Sequence, residues 1–298
     1  MSRWGERDER NEESAGLSDG LSRDGGEARP RVPDEGTSRE GFGDNRRERV
    51  LVNDREYHVR PSERAALDAL GRFRVIDAGD LGRGLYASDG ELARADFQAL
   101  IRERLITPVS MRNAQGESRR IFTLTRDGHA LAQSRAGAGQ QLYWGFAKPA
   151  ECEHDSRLYR AYLHEERQLV ANGHLVKRVV LDYALKREYF SRLNAPRSGR
   201  AYRQRQWEAA RELHLLIIDG HAVFPDFRIE YEDERGAPGR VDVEVATGNY
   251  RGHHVTVKAA AGFRVYADGS AAGRLRVNTG PLLGGRFFPE ERSAVLLL

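Results

Sequence analysis

The spacing of hydrophobic and polar positions changes several times along the chain, and each change marks an element. Alternation is sharpest from Phe224 to Ala246. In the first run Phe227, Ile229 and Tyr231 point one way, and Asp226, Arg228 and Glu230 the other. A turn-rich break comes next, from Glu232 to Gly239, containing Gly236, Pro238 and Gly239. Val241, Val243 and Val245 then alternate with Asp242 and Glu244. Two half-buried strands joined by a hairpin loop are predicted, with the valines inward and Asp242 and Glu244 outward. A hairpin centred on Arg235 sets Asp226 opposite Glu244. Opposed side chains lie about 5 Å apart at Cβ, where like charges destabilise a sheet. A divalent cation would neutralise both acids, and hard cations such as Mg²⁺ prefer carboxylate oxygens. A solvated polar face is the other reading, and pattern alone leaves both open.

Upstream the period is helical. Arg49 to Asn53 reads as a short strand. Pro61-Ser62-Glu63 starts a helix with Ala66, Leu67 and Leu70 on one face. Asp77 is placed to cap a second, short helix. Ser88-Asp89-Gly90-Glu91 opens a third as a capping box. Its apolar positions include Ala93, Phe97, Leu100 and Ile101, while Arg94, Gln98 and Arg102 recur every four residues on another face. Thr107 to Met111 and Ile121 to Leu124 are strands around a polar tip, Arg112 to Arg120. Thr125 caps a last helix through Leu131. Arg135 to Pro149 reads as a linker between domains. Its Tyr143, Trp144 and Phe146 either pack against the second domain or stack on nucleobases.

The second half predicts a helix from Ser156 to Val170, preceded by His154-Asp155. A strand from Val176 to Tyr183 and a helix from Ala184 to Leu193 come next. Tyr202 to Ile218 reads as one long amphipathic helix with Trp207, Ala210 and Leu213 toward one face. After the hairpin, Val255-Thr256-Val257 favours strand locally, but Ala259, Phe263 and Tyr266 share a helical face, and Lys258 to Tyr266 is read as helix. Thr247 and Asn249 suit caps.

Composition narrows the class. The 298 residues suggest about two domains, with 39% hydrophobic and 31% charged residues. Met1 to about Arg47 is dense in Gly, Ser, Glu, Asp and Arg and is expected to be disordered. Net charge is only +3, although the isoelectric point is about 9.0, so local clusters of Arg matter more than the total. The single Cys152 excludes an intrachain disulfide framework and fits a reducing cytosol, hence a cytoplasmic protein. No apolar run approaches the roughly 20 residues of a membrane span. His253-His254 lacks the further ligands that zinc requires.

Three resemblances add to this reading. Pro225-Asp226 followed by Glu244-Val245-Ala246 resembles the core of the PD-(D/E)XK nuclease-like fold. There the Asp and Glu hold a metal and a Lys two residues after the Glu helps activate water. Ala246 stands at that position here, so Lys258 is the candidate migrated lysine. Three helices and a two-stranded wing, with Ile101-Arg-Glu-Arg-Leu-Ile106 and Phe122-Thr-Leu-Thr-Arg-Asp-Gly128, resemble winged-helix regulators over Pro61 to Ser134. In such domains the third helix enters the major groove and the wing touches backbone. The expected base-facing set is then Arg94, Gln98 and Arg102, with Arg112, Arg119 and Arg120 on phosphates. The whole, with His154, Pro225-Asp226, Glu244-Val245 and Lys258 to Tyr266, resembles the replication-relaxation family associated with plasmid replication and relaxation.

The implied fold class is α+β in two domains. A disordered arm at 1–48 precedes a winged helix-turn-helix at 49–135, a linker at 136–152 and a restriction-endonuclease-like α/β core at 153–298. The implied function is DNA binding for a plasmid or mobile element. Expected partners are double-stranded DNA, replication or relaxation proteins, and a second copy of the chain in a homodimer, with no membrane. The alternatives are a Mg²⁺-dependent endonuclease, and a transcriptional repressor whose C-terminal half dimerises or senses a ligand. Catalysis would rest on Asp226, Glu244 and Lys258, and Mg²⁺ would be held by Asp226 and Glu244, with the Val245 carbonyl and Glu165 or Glu166 as further candidates. His154 would position phosphate, or cap or pack a helix.

Overall fold

The computed structural model describes residues 46–246 apart from 88, 113–115, 117, 138, 147–148 and 195–200, together with 258–259, 262–267 and 295–297. The expected arm up to residue 45, the caps Thr247 and Asn249, and His253-His254 lie outside the described residues. The fold is mixed α+β. Among the described residues no helix is long and apolar enough to cross a membrane.

The first part opens on a hairpin. β1 (Glu48–Val52) and β2 (Arg55–Val59) pair antiparallel. Asn53 and Asp54 between them have φ of 49° and 61°, the left-handed pair that a two-residue turn matching the strand twist requires. α1 (Pro61–Phe73) carries Pro at its start, where the missing N–H costs nothing. β3 (Ile76–Asp77) leads into α2 (Ala78–Leu85), capped as expected by Asp77, which accepts from the Gly79 and Asp80 amides. α3 (Gly90–Arg102) is capped by Asp89 accepting from Leu92 N. That corrects the expected Ser88 cap; Ser88 itself lies outside the described residues. β4 (Ile106–Arg112) and β5 (Ser118–Leu124) form a ribbon, with β3 on the far side of β5. α4 (Arg126–Gln133) is capped by Thr125 through Gly128 N at 3.0 Å.

α5 runs from Pro149 to Ala171, not from Ser156. Ser156 Oγ donates back to the Glu153 carbonyl at 2.9 Å, a bond within a helix already under way. His154 and Asp155 therefore lie inside α5. β6 (Leu175–Leu181) and α6 (Asp182–Asn194) come next. α7 (Tyr202–Glu212) ends well short of the predicted Ile218. His214 has a φ of +51°, which breaks the helix. β7 (Leu216–Ile218) instead pairs with β8 (His221–Val223) around Asp219-Gly220. Trp207 points to solvent, whereas Ala210 and Leu213 are buried.

β9 (Phe227–Glu232) and β10 (Pro238–Ala246) pair with Arg228 opposite Asp242 and Phe227 opposite Val243. This is the register expected of a hairpin centred on Arg235, but the ladder ends at the Phe227–Val243 pair, so Asp226 precedes β9 and is not paired opposite Glu244 as expected. β11 (Arg264–Ala267) lies parallel to β10, with Tyr266 beside Val245. Helix is present only at 258–259 among the described residues of this stretch. Tyr266 is thus a strand residue, contrary to the helical spacing of Ala259, Phe263 and Tyr266. A parallel strand buried on both faces overrides a local helical period. β12 (Val295–Leu297) completes the sheet order β12-β11-β10-β9-β6.

One hydrophobic core runs through both halves of the described chain. The Phe73 ring of α1 lies 5.4 Å from Tyr159 and 5.0 Å from Tyr162 of α5, and 5.9 Å from Phe227 of β9. Tyr143 is buried edge-on to Tyr183 at 4.7 Å, and Phe146 packs near Val75, Ile121 and Cys152. Trp144 is exposed, and its ring centroid lies 6.5 Å from that of His129 of α4. The opposite sheet face is covered rather than solvated. Arg228 and Glu244 are both buried. Arg228 is covered by the end of α7, where its guanidinium donates to the Leu213 and His214 carbonyls and grips Asp242.

Candidate functional site

α3 separates its faces cleanly. Ala93, Asp96, Ala99 and Leu100 are buried, while Arg94, Gln98 and Arg102 are exposed on one stripe. Phe97 fixes the helix to the ribbon through its ring, 5.1 Å from Phe122. Ser110 opposite Arg120 and Arg112 opposite Ser118 alternate in phase with the Pro108–Phe122 pair. Arg112 and Arg120 are therefore on the ribbon face that meets α3. Arg119 alternates to the other face with Ile121 and is half-buried. None of these five arginines forms an ion pair among the described residues.

Inside α3, Asp96 is fully buried. It accepts from Ser62 Oγ at 2.5 Å, Tyr86 Oη at 3.1 Å and the Arg60 guanidinium at 2.9 Å. Burial and the neighbouring Asp96 carboxylate hold the Tyr86 phenol far above its ordinary range. A helix whose inner polar group is tied in this way presents its outer face in one orientation.

The second cluster sits where β9 begins. Asp226 N donates to Val243 O at 2.9 Å, and Asp226 O accepts from Asp182 N at 2.9 Å. The carboxylate takes the place of a strand partner: Oδ2 accepts from Val245 N at 2.7 Å. Oδ1 lies 3.3 Å from His154 Nε2. The buried Glu244 pairs with Lys258 Nζ at 2.6 Å, and the same ammonium donates to Phe224 O at 2.6 Å. Asp226, Glu244 and Lys258 are thus brought into one neighbourhood, with His154 added from α5. Glu165, about three turns further along α5, is buried and accepts from Tyr266 Oη at 2.8 Å. Glu166 accepts from Tyr162 Oη at 2.6 Å.

The charges balance locally. Burial alone would lower the His154 pKa, but the hydrogen bond and charge of Asp226 raise it above its ordinary value. Burial alone would raise Asp226; the bond from His154, its charge, Lys258 and the Val245 amide together hold it below the usual carboxylate value. Next to His154, burial pushes Asp155 up to about 6. Burial and the Glu165 carboxylate keep the Tyr266 phenol protonated. The resemblance groups His154 with Asp226, but spacing along the chain carries no sign that the two side chains meet. The Glu165–Tyr266 bond was hidden because Tyr266 read as helical.

Asp226, Glu244 and the Val245 carbonyl are oxygen donors of the type Mg²⁺ takes, but no group of three or more His, Cys, Asp or Glu side chains is placed to hold a metal ion among the described residues. Each carboxylate already has a cationic partner, so a metal would compete with His154 and Lys258.

No protein-family model and no curated protein matches the chain. Among solved structures, Bacillus subtilis PadR in complex with operator DNA aligns with 14% identity over 51% of this chain and 93% of that chain, at a TM-score of 0.22. A likeness of that size fixes neither fold nor function.

Proposed function

We propose that this protein binds double-stranded DNA through α3 and the β4–β5 ribbon, as part of plasmid or mobile-element replication and DNA relaxation. The observation that carries the DNA-binding part is the placement of cations without an ion-pair partner among the described residues. Arg94 and Arg102 flank Gln98 on the outer stripe of α3, and Arg112 and Arg120 occupy the ribbon face beside it. The element order α1, β3, α2, α3, β4, β5 is that of a winged helix, in which the third helix reads bases and the wing holds backbone. The plasmid context rests on the sequence resemblance. Replacing Arg94 or Gln98 by Ala should weaken a specific site by about 1–3 kcal/mol and relax preference at one or two base pairs. Replacing Arg112 and Arg120 together should weaken all duplexes alike and flatten the salt dependence by a slope of about 2. Mobility shift across a salt series measures both. Unchanged affinity in all four positions would refute the proposal.

A second reading, a Mg²⁺-dependent endonuclease, is favoured by the convergence of Asp226, Glu244, Lys258 and His154. The element order α5, β6, α6, α7, β9, β10 is also compatible with a nuclease-like α/β core. Bound Mg²⁺ would supply a Lewis acid for phosphodiester hydrolysis. Asp226 and Glu244 would hold it, and Lys258 would place positive charge beside the scissile phosphate. The expected result is nicking of supercoiled plasmid with Mg²⁺, lost in Asp226→Ala and Glu244→Ala. Retained supercoiling in every divalent metal leaves the cluster a structural scaffold.

A further inference from the structure

α7 has a surface that neither duplex binding nor the acidic cluster uses. Trp207 is 61% exposed. Arg203 and Arg211 lie one turn to either side of it, at i−4 and i+4. Both are exposed, and neither forms an ion pair among the described residues. Tyr202, 56% exposed, starts the helix, with the Arg205 guanidinium 5.9 Å from its ring centroid.

The helix beneath is firmly seated. Ala209, Ala210 and Leu213 pack against Tyr189 and Leu193 of α6. The buried Arg228 donates to Leu213 O at 2.6 Å and His214 O at 3.2 Å, while holding Asp242 at 2.6 and 2.8 Å. The end of α7 is therefore bolted to β9 and β10. Its outer face, with Trp207, is turned to solvent.

The chemistry of the face selects its partner. A stable protein interface buries about 800 Å² per side around an apolar centre. Here Trp207 stands between two guanidinium groups one turn away on either side, and not within an extended apolar patch. A polyanion with free aromatic faces suits both features: its phosphates meet the arginines and its bases stack on the indole. Bases within a duplex are already stacked on each other and cannot offer that face. We propose that the α7 face binds single-stranded DNA, with Trp207 stacked on an unpaired base and Arg203 and Arg211 on flanking phosphates. This site is distinct from α3 and requires no cleavage activity.

Fluorescence anisotropy with the full chain, a labelled oligothymidine and a labelled blunt duplex provides the test. Trp207→Ala should lower affinity for the single strand about tenfold or more, the loss of one stacked base. Trp207→Phe should recover part of it. Arg203→Ala with Arg211→Ala should reduce the salt slope on the single strand by about 1.4. Duplex affinity should stay within about twofold in each variant. Arg94→Ala with Arg102→Ala should show the reverse selectivity, which separates failure of this proposal from failure of duplex binding. Unchanged single-strand affinity in Trp207→Ala overturns the proposal. So does an equal loss on both DNA forms, or a dimer that Trp207→Ala converts to monomer, which would mark the face as a contact between copies. Thermal melting confirms that each variant is folded.

Discussion

Asp96→Ala is expected to destabilise the protein by about 3–5 kcal/mol, the cost of removing one member of a buried ion pair. Asp96 is fully buried in α3 and binds Ser62, Tyr86 and the Arg60 guanidinium. Its loss leaves two hydroxyls without their acceptor and a partly buried cation without its counter-charge. An unmade buried hydrogen bond alone costs about 1–3 kcal/mol. Asp96→Asn keeps the shape and loses the charge, so it should fall between wild type and Asp96→Ala. Urea unfolding measures both. A loss below about 1 kcal/mol for Asp96→Ala would mean that the network contributes nothing net. Because Asp96 fixes the inner face of α3, duplex affinity should fall in step with the folded fraction.

The other large effect is expected at Lys258. Lys258→Met leaves the buried Glu244 without its ammonium partner, at a cost of about 3–5 kcal/mol. Adding Glu244→Gln to that variant should restore most of the loss, since a neutral amide needs no counter-charge. The double-mutant cycle reads the coupling directly. Simple addition of the two single costs would refute a tight pair. The neighbouring His154–Asp226 pair sets the pH window. His154 is raised above 6.5, so its stabilisation is complete below that value and is lost as pH rises through the raised pKa. Asp226 is held below 3.8, so its stabilisation is present above that value and is lost as pH falls through the depressed pKa. Urea midpoints across pH should therefore fall at both ends of this interval, and His154→Ala should remove the basic-side loss.

The elements that were legible in the chain are those specified by their own neighbours. The cap at Asp77 needs only a carboxylate two or three residues before free amides. The exposed stripe of Arg94, Gln98 and Arg102 comes from helical period against Ala93, Leu100 and their neighbours. The β9–β10 register comes from a turn-rich break between two alternating runs. The elements that were misread depend on distant partners. Tyr202 to Ile218 has continuous amphipathic spacing, yet a left-handed backbone at His214 and the pairing of β7 with β8 end the helix early. Trp207 looked like a core residue because its spacing matched Ala210 and Leu213.

Local sequence therefore determined the succession of helices and ribbon, the hairpin register, and which side of α3 carries its cations. Those properties act over one turn or across one loop, within reach of the residues that encode them. Tertiary structure alone decided that Tyr266 joins the sheet, that Glu244 and Arg228 are buried, and that His154 and Lys258 meet the two acids. Burial and charge pairing depend on what covers a side chain from elsewhere in the chain, and spacing along the sequence does not record that.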